Sequence, residues 1–107
     1  MSPEGKYLYL TTTGRRSGLP RRIEIWFTRH RGCYYLVAEH GPKARWVQNI
    51  LADPAVRVRV GSRSFRGRAR VVDARAEREL AATIRRLSEA KYGWGAGLVI
   101  EIVPLRR

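Results

Sequence analysis

Cysteine, methionine and histidine are almost missing from this chain: 107 residues hold one cysteine, one methionine and two histidines. A lone Cys33 excludes an internal disulfide and suits a reducing compartment. His30, His40 and Cys33 cannot furnish a well-spaced set of three or four zinc ligands, so no metal site is expected. Acidic residues are scarce too, with 9 Asp and Glu against 22 Lys and Arg. Long apolar runs are absent. The best stretch, Leu98 to Val103, is interrupted by Glu101 and falls far short of the roughly 20 residues that span a bilayer. The polar start, Met1 to Lys6, has no apolar segment or small-residue cleavage site of a secretory signal, and a cytoplasmic location is expected by default. No repeat, linker or low-complexity tract divides the chain, so residues 1–107 are expected to form one small domain with a thin core.

What is present is charge. The formal net charge of +13 attracts anions, unless the arginines are simply solvated surface. Their placement along the chain narrows the choice. Tyr7 to Thr13 is rich in aromatic and β-branched residues and reads as a strand ending at Gly14. From Arg21 to Thr28 apolar and polar residues alternate, with Ile23, Ile25 and Phe27 on one face and Trp26 on the more polar one. Arg31-Gly32 turns the chain into a strand over Cys33 to Ala38, and Gly41-Pro42 precedes a short helix from about Lys43 to Leu51. Asp53-Pro54 breaks that helix. Val56 to Val60 and Ser64 to Val72 form a hairpin with Arg66, Arg68 and Arg70 in a ladder on one face, which calls for nearby acids, a bound anion, or screening by salt. A second helix, capped by Asp73 and running to about Lys91, carries Leu80, Ile84 and Leu87 as a core stripe. A glycine-flanked aromatic loop, Tyr92 to Gly97, leads to a last strand over Leu98 to Val103. The order βββαββαβ predicts six mainly antiparallel strands and two short helices in a small barrel, which would remove exposed sheet edges.

Most catalytic templates fail on residue type. Cys33 at a strand start reads as a small core residue rather than a nucleophile. Gly93-x-Gly95-x-Gly97 precedes a strand, not a helix, so it reads as a hinge and not as a dinucleotide fingerprint. The loop Gly14-Arg15-Arg16-Ser17-Gly18 lacks the Gly-Lys-Ser/Thr ending of a P-loop. Its two glycines can still aim N–H groups at an anion, with Arg15, Arg16 and Ser17 as further donors, although the same loop also suits an ordinary exposed hairpin connection. Trp46 likewise suits either a cleft or plain core packing beside Val47 and Ile50.

The segment Leu10-Thr11-Thr12-Thr13-Gly14-Arg15-Arg16-Ser17-Gly18-Leu19-Pro20-Arg21 resembles the signature of the deazaflavin-dependent nitroreductase family. Trp46 and Asn49, then Asp53-Pro54 and the Val-rich strand 56–60, continue the likeness in register over roughly residues 8–72. The resemblance implies a six-stranded split β-barrel of the FMN-binding, pyridoxamine-phosphate-oxidase-like kind that binds coenzyme F-420, whose phosphate leads to an acidic tail. It implies that Arg15, Arg16, Ser17 and Gly18 hold the phosphate with Arg21 beside them, and that the ring system lies along Ala38 to Gly41. Lys43, Trp46 and Asn49, three residues apart, can then face one cleft, and Trp26 and Trp46 can bound the ring. The implied reaction passes a hydride from the reduced cofactor to a small electron-poor acceptor such as a nitroaromatic, quinone or enone. Tyr92 is the candidate acid or substrate-orienting group by the same analogy, or else an amphipathic cover at the barrel mouth.

Two departures stand out. Glu39-His40 replaces the small or hydroxyl residues of relatives, which places a carboxylate near the expected cofactor and leaves room for FMN instead. The chain also begins at the first strand, without the preceding helix of some relatives, which either leaves the pocket open or is compensated by a partner subunit; a homodimer is expected, as in related split-barrel proteins. A basic β-barrel that binds nucleic acid through strand arginines and aromatics is the competing class.

Overall fold

In a computed structural model that describes residues 5–105, the chain is one curled antiparallel sheet with two α-helices packed on it. Met1 to Glu4, most of the polar start, lie outside the described residues, as do the last two residues of the basic tail. The strands are β1 (Tyr7–Thr13), β2 (Pro20–Trp26), β3 (Thr28–His30), β4 (Cys33–Ala38), β5 (Ala55–Val60), β6 (Arg63–Val71) and β7 (Leu98–Pro104). A 3-10 turn at Gly41–Lys43 leads into α1 (Arg45–Ala52), and α2 spans Arg78–Tyr92. The sheet order is β2-β1-β5-β6-β7-β4-β3.

The strand count is seven, not six, because the run expected from Arg21 to Thr28 splits at Phe27. Side-chain alternation continues through the break, but the partner changes. β2 pairs with β1 and β3 pairs with β4, at opposite edges of the sheet. Phe27 is therefore where the barrel is split, and its backbone must find partners outside the ladder. It finds them on the last turn of α2: the Phe27 amide donates to the Tyr92 hydroxyl at 3.0 Å, and Lys91 Nζ donates to the Phe27 carbonyl at 2.9 Å. The Phe27 ring is 1% exposed and fills the core between the two edges. The expected removal of sheet edges is not realised: the ladder stays open, with β2 and β3 as its two edge strands, joined only by the chain through Phe27.

The barrel core is built from the inward side of each alternation: Leu8 and Leu10, Tyr34 and Leu36, Val56, Val58 and Val60, Ile100 and Ile102. α1 closes one end with Val47 and Ile50, and α2 lays Ala81 and Ile84 against Val99 and Tyr35 outside the barrel. Asp73 does not cap α2, which starts only at Arg78 with no side-chain cap. Its Oδ1 instead accepts from the Arg75 amide at 2.9 Å in the turn before the helix. Nor is the 93–97 segment a hinge: a Cβ on Gly95 would lie 2.2 Å from the Arg85 carbonyl, and Arg85 and Ser88 donate to the Gly97 and Trp94 carbonyls.

The arginine ladder of β6 is resolved at one end. Arg70 pairs with Glu77 at 2.6 Å and with Glu101 at 2.8 Å, and Glu101 also accepts from the Tyr35 hydroxyl at 2.7 Å. Burial and the adjoining Glu101 carboxylate push the Tyr35 phenol well above its ordinary range, and burial raises the Cys33 thiol beside it. The Arg70 guanidinium pulls the Glu77 carboxyl below its usual value.

Candidate functional site

The loop between β1 and β2 is held in one shape by its own backbone. Gly14 N–H donates to the Leu19 carbonyl and Gly18 N–H to the Gly14 carbonyl, each at 2.8 Å, and Gly18 takes a φ of +71° that favours glycine. Ser17 Oγ accepts from the Leu19 amide at 3.1 Å. From below, the buried Asn49 of α1 donates to Thr12 Oγ1 and accepts from the Arg15 amide, both at 3.0 Å. Among the described residues, the amides of Arg16 and Ser17 are left without a protein acceptor. Two free N–H groups at the tip of a fixed loop are the backbone part of an anion nest.

Side chains supply the rest. A cleft of about 870 Å³ opens beside this loop, lined by Arg15, Arg16, Arg21, Arg22 and Arg45, with Ser17, Trp46 and Asn49 at its wall and no acidic residue. Guanidinium groups match phosphate oxygens bidentately and stay charged at any physiological pH. On the other side of Trp46 lies a second cavity of about 450 Å³, bounded by Trp26, Trp46 and Trp94, with Ala38, Glu39 and His40 along one side and Glu24 at its rim. A cavity of that volume lined by indoles suits a planar, drug-sized ring. The two cavities share Trp46, so the site is polarised: five guanidinium groups at one end, two carboxylates and three indoles at the other.

The structure brings Arg15, Arg16, Ser17, Arg21, Trp46 and Asn49 together at the cationic cleft and Trp26, Ala38 and Trp46 at the ring-sized cavity. Asn49 spends its amide on Thr12 and Arg15, so it shapes the loop from beneath. Lys43 is exposed on the 3-10 turn rather than in α1, and it lines neither cavity; Gly18 and Gly41 do not line them either. Glu39 lines the indole cavity and not the arginine cleft.

The Tyr92 ring and hydroxyl are both engaged within the fold. Its ring stacks flat on Trp26 at 4.5 Å with 2° between planes, and its hydroxyl hydrogen-bonds the Phe27 carbonyl at 2.7 Å and the Lys6 carbonyl. Burial raises this phenol above its ordinary value. Tyr92 therefore braces the split in the barrel and fixes the plane of Trp26. Residues missed in the sequence are Arg22, Arg45, Glu24 and Trp94. Arg45 sits one residue before Trp46 and was legible from position, whereas Trp94 arrives from 48 residues beyond Trp46 through the pinned 93–97 segment and left no local signal.

Among the described residues no cluster of three or more His, Cys, Asp or Glu could hold a metal, and no helix is long and apolar enough to cross a membrane. Fold and site together define a split-barrel protein with an arginine-lined cleft placed beside a ring-sized cavity. The family model of F420H(2)-dependent quinone reductase matches residues 2–103, and the chain belongs to that family. This agrees with the resemblance carried by the opening motif. An F420H(2)-dependent quinone reductase of Mycobacterium tuberculosis is 34% identical over 61 residues, covering 54% of this chain and 41% of that protein. The chain thus matches less than half the length of this curated relative. Among solved structures, an F420-H2 dependent reductase is 25% identical with a TM-score of 0.71, covering 92% of this chain and 93% of its own. A pyridoxamine 5'-phosphate oxidase-type structure from Listeria innocua has a TM-score of 0.75 at 17% identity, covering 95% and 86%.

Proposed function

We propose that this chain binds the deazaflavin coenzyme F-420 across the two cavities that meet at Trp46 and serves as an oxidoreductase toward a small electron-poor acceptor of quinone, nitroaromatic or enone type. The observation that carries the reading is the juxtaposition at Trp46 of an acid-free arginine cleft with two unpaired loop amides and a three-indole cavity of about 450 Å³. The donor set fits the coenzyme: Arg15, Arg16, Ser17 and Arg21 would hold its phosphate, and Trp26, Trp46 and Ala38 would bound its ring. When bound, the coenzyme supplies the hydride chemistry. The protein orients, through Trp26 braced by Tyr92, and excludes water with indole surface on three sides. Glu24, Glu39 and His40 are the polar groups at the ring-side cavity that a reacting acceptor would meet.

A homodimer goes with this reading, supported by a solved structure of like fold, 23% identical, described as a domain-swapped dimer. A cytoplasmic location suits a reductase with a single thiol. Parallel fluorescence titrations with coenzyme F-420 and FMN test the cofactor, followed by assays of the reduced coenzyme against menadione and a nitroaromatic. Saturable quenching of the indoles by the deazaflavin and turnover of at least one acceptor are expected. Preference for FMN, or binding without turnover of any acceptor, would overturn the assignment.

A further inference from the structure

A second arginine-lined concavity lies apart from the proposed cofactor site. It is a groove of about 990 Å³ on the outer face of β1, β5 and β6, and its lining includes Arg22, Arg57, Arg59 and Arg66 with no acidic residue. The strand register explains the concentration. Arg22 stands opposite Thr11, Thr11 opposite Arg57, and Arg57 opposite Arg66, which sets a row of cations across four strands. Arg59 follows two residues along β5, opposite Tyr9 and Ser64. Arg68 continues the row on β6, opposite Ala55.

No carboxylate among the described residues offsets this row of charge. Like charges directly opposite one another across strands are destabilising. At the far end of β6, Arg70 is neutralised by Glu77 and Glu101, but among the described residues no carboxylate pairs with Arg57, Arg59, Arg66 or Arg68. The same face is equally unsuited to a second copy of this chain, since a two-fold contact would set these guanidinium groups against their own images. A partner for this groove must bring negative charge.

Shape and chemistry narrow that partner further. Alternate residues on a strand lie about 6.6 Å apart, so the cations form a regular extended array suited to a repeating anionic backbone rather than to one small anion. Planar groups are interleaved with the cations. The Arg22 guanidinium lies 4.1 Å over the Tyr9 ring, and Tyr9 is 38% exposed. Arginine planes resting on aromatic rings are surfaces on which nucleobases stack.

We propose that the β1–β5–β6 groove is a binding site for single-stranded nucleic acid, its phosphates met by Arg57, Arg59 and Arg66 and a base stacked on the Arg22–Tyr9 pair. The site is separate from the cofactor cleft except for Arg22, which lines both. It does not depend on the redox reading.

The test is fluorescence anisotropy with a labelled oligothymidylate of about twelve nucleotides, within the range one small β-barrel covers, titrated at several salt concentrations. Wild-type protein is compared with R57A/R66A and with R75A/R86A, which removes two exposed arginines from α2 and its preceding turn, so both variants lose equal charge. R57A/R66A should bind at least roughly tenfold more weakly. Its salt slope should fall by about 1.4, at about 0.7 per lost contact to a single strand, with coenzyme F-420 binding unchanged. R75A/R86A should bind within about twofold of wild type. Equal loss in both variants, or equal competition by an oligoglutamate of matched charge, would overturn the proposal. Unchanged far-UV circular dichroism guards against misfolding, and R57K/R66K, which preserves charge in place, should recover most of the salt slope.

Discussion

Two regions of this molecule are dense in arginine, and they differ in what the backbone does. In the loop after β1, Arg15, Arg16 and Arg21 flank a chain segment held by its own hydrogen bonds and by Asn49, with the Arg16 and Ser17 amides left without a protein acceptor among the described residues. On the β5–β6 face, Arg57, Arg59 and Arg66 ride on strands whose amides are spent in the ladder. The loop can surround one anion from several directions; the sheet can only present cations along a line. The same residue type is thus arranged convergently in one place and linearly in the other, and backbone geometry makes the difference.

Breaking the loop should have the largest effect. R15A/R16A is expected to lower affinity for coenzyme F-420 by about a hundredfold or more, since each lost charged hydrogen bond is worth roughly 1.5–3 kcal/mol, and a fluorescence titration reads it directly. Wild-type affinity in that variant would remove the loop from the site. Glu101→Ala should then destabilise the fold by about 3 kcal/mol in urea unfolding, because it strips a nearly buried carboxylate from both Arg70 and Tyr35. Asn49→Ala should cost about 1–3 kcal/mol of stability and also weaken the coenzyme, as it frees the loop from α1 without removing any charge. The smallest change sharpens the contrast: Arg57→Ala should leave stability unchanged or raise it by a few tenths of a kcal/mol, by relieving its opposition to Arg66.

A pH series separates the neutralised end of the ladder from the rest. The folded Tyr35 phenol titrates above its ordinary value of 10.0, so the stability it contributes is fully present below that pH and is lost as pH rises beyond it. Tyr35→Phe should lose the hydrogen bond to Glu101 at neutral pH and show a flatter decline above pH 10. For Glu77 the sign is reversed: its carboxyl is lowered from 4.5 by Arg70, so its contribution holds above that pH and is lost below it.

Much of this was legible in one dimension. The alternation of Val56, Val58 and Val60 and the Ile84 stripe of α2 appear where expected, because side-chain period follows directly from backbone conformation. The Gly14–Gly18 loop and its arginines were legible for a different reason, since they form one contiguous segment. The break at Phe27 was not, because Ile23, Ile25 and Phe27 keep perfect alternation while the hydrogen-bond partner changes from β1 to β4. The engagement of Tyr92 was hidden for a related reason: an aromatic beside glycines looks free until the Phe27 backbone 65 residues away claims its hydroxyl.

By itself, then, the amino-acid order determined the elements, the inward and outward faces, the excess of positive charge and the arginine-bearing glycine loop, all of which depend on neighbours within a few residues. Tertiary structure alone decided which strands became edges, that Trp94 and Trp26 would meet at Trp46, and that arginines from three strands would align opposite one another. Those outcomes depend on register and on the closure of long loops, which sum weak preferences over the whole chain and leave no mark on any short segment.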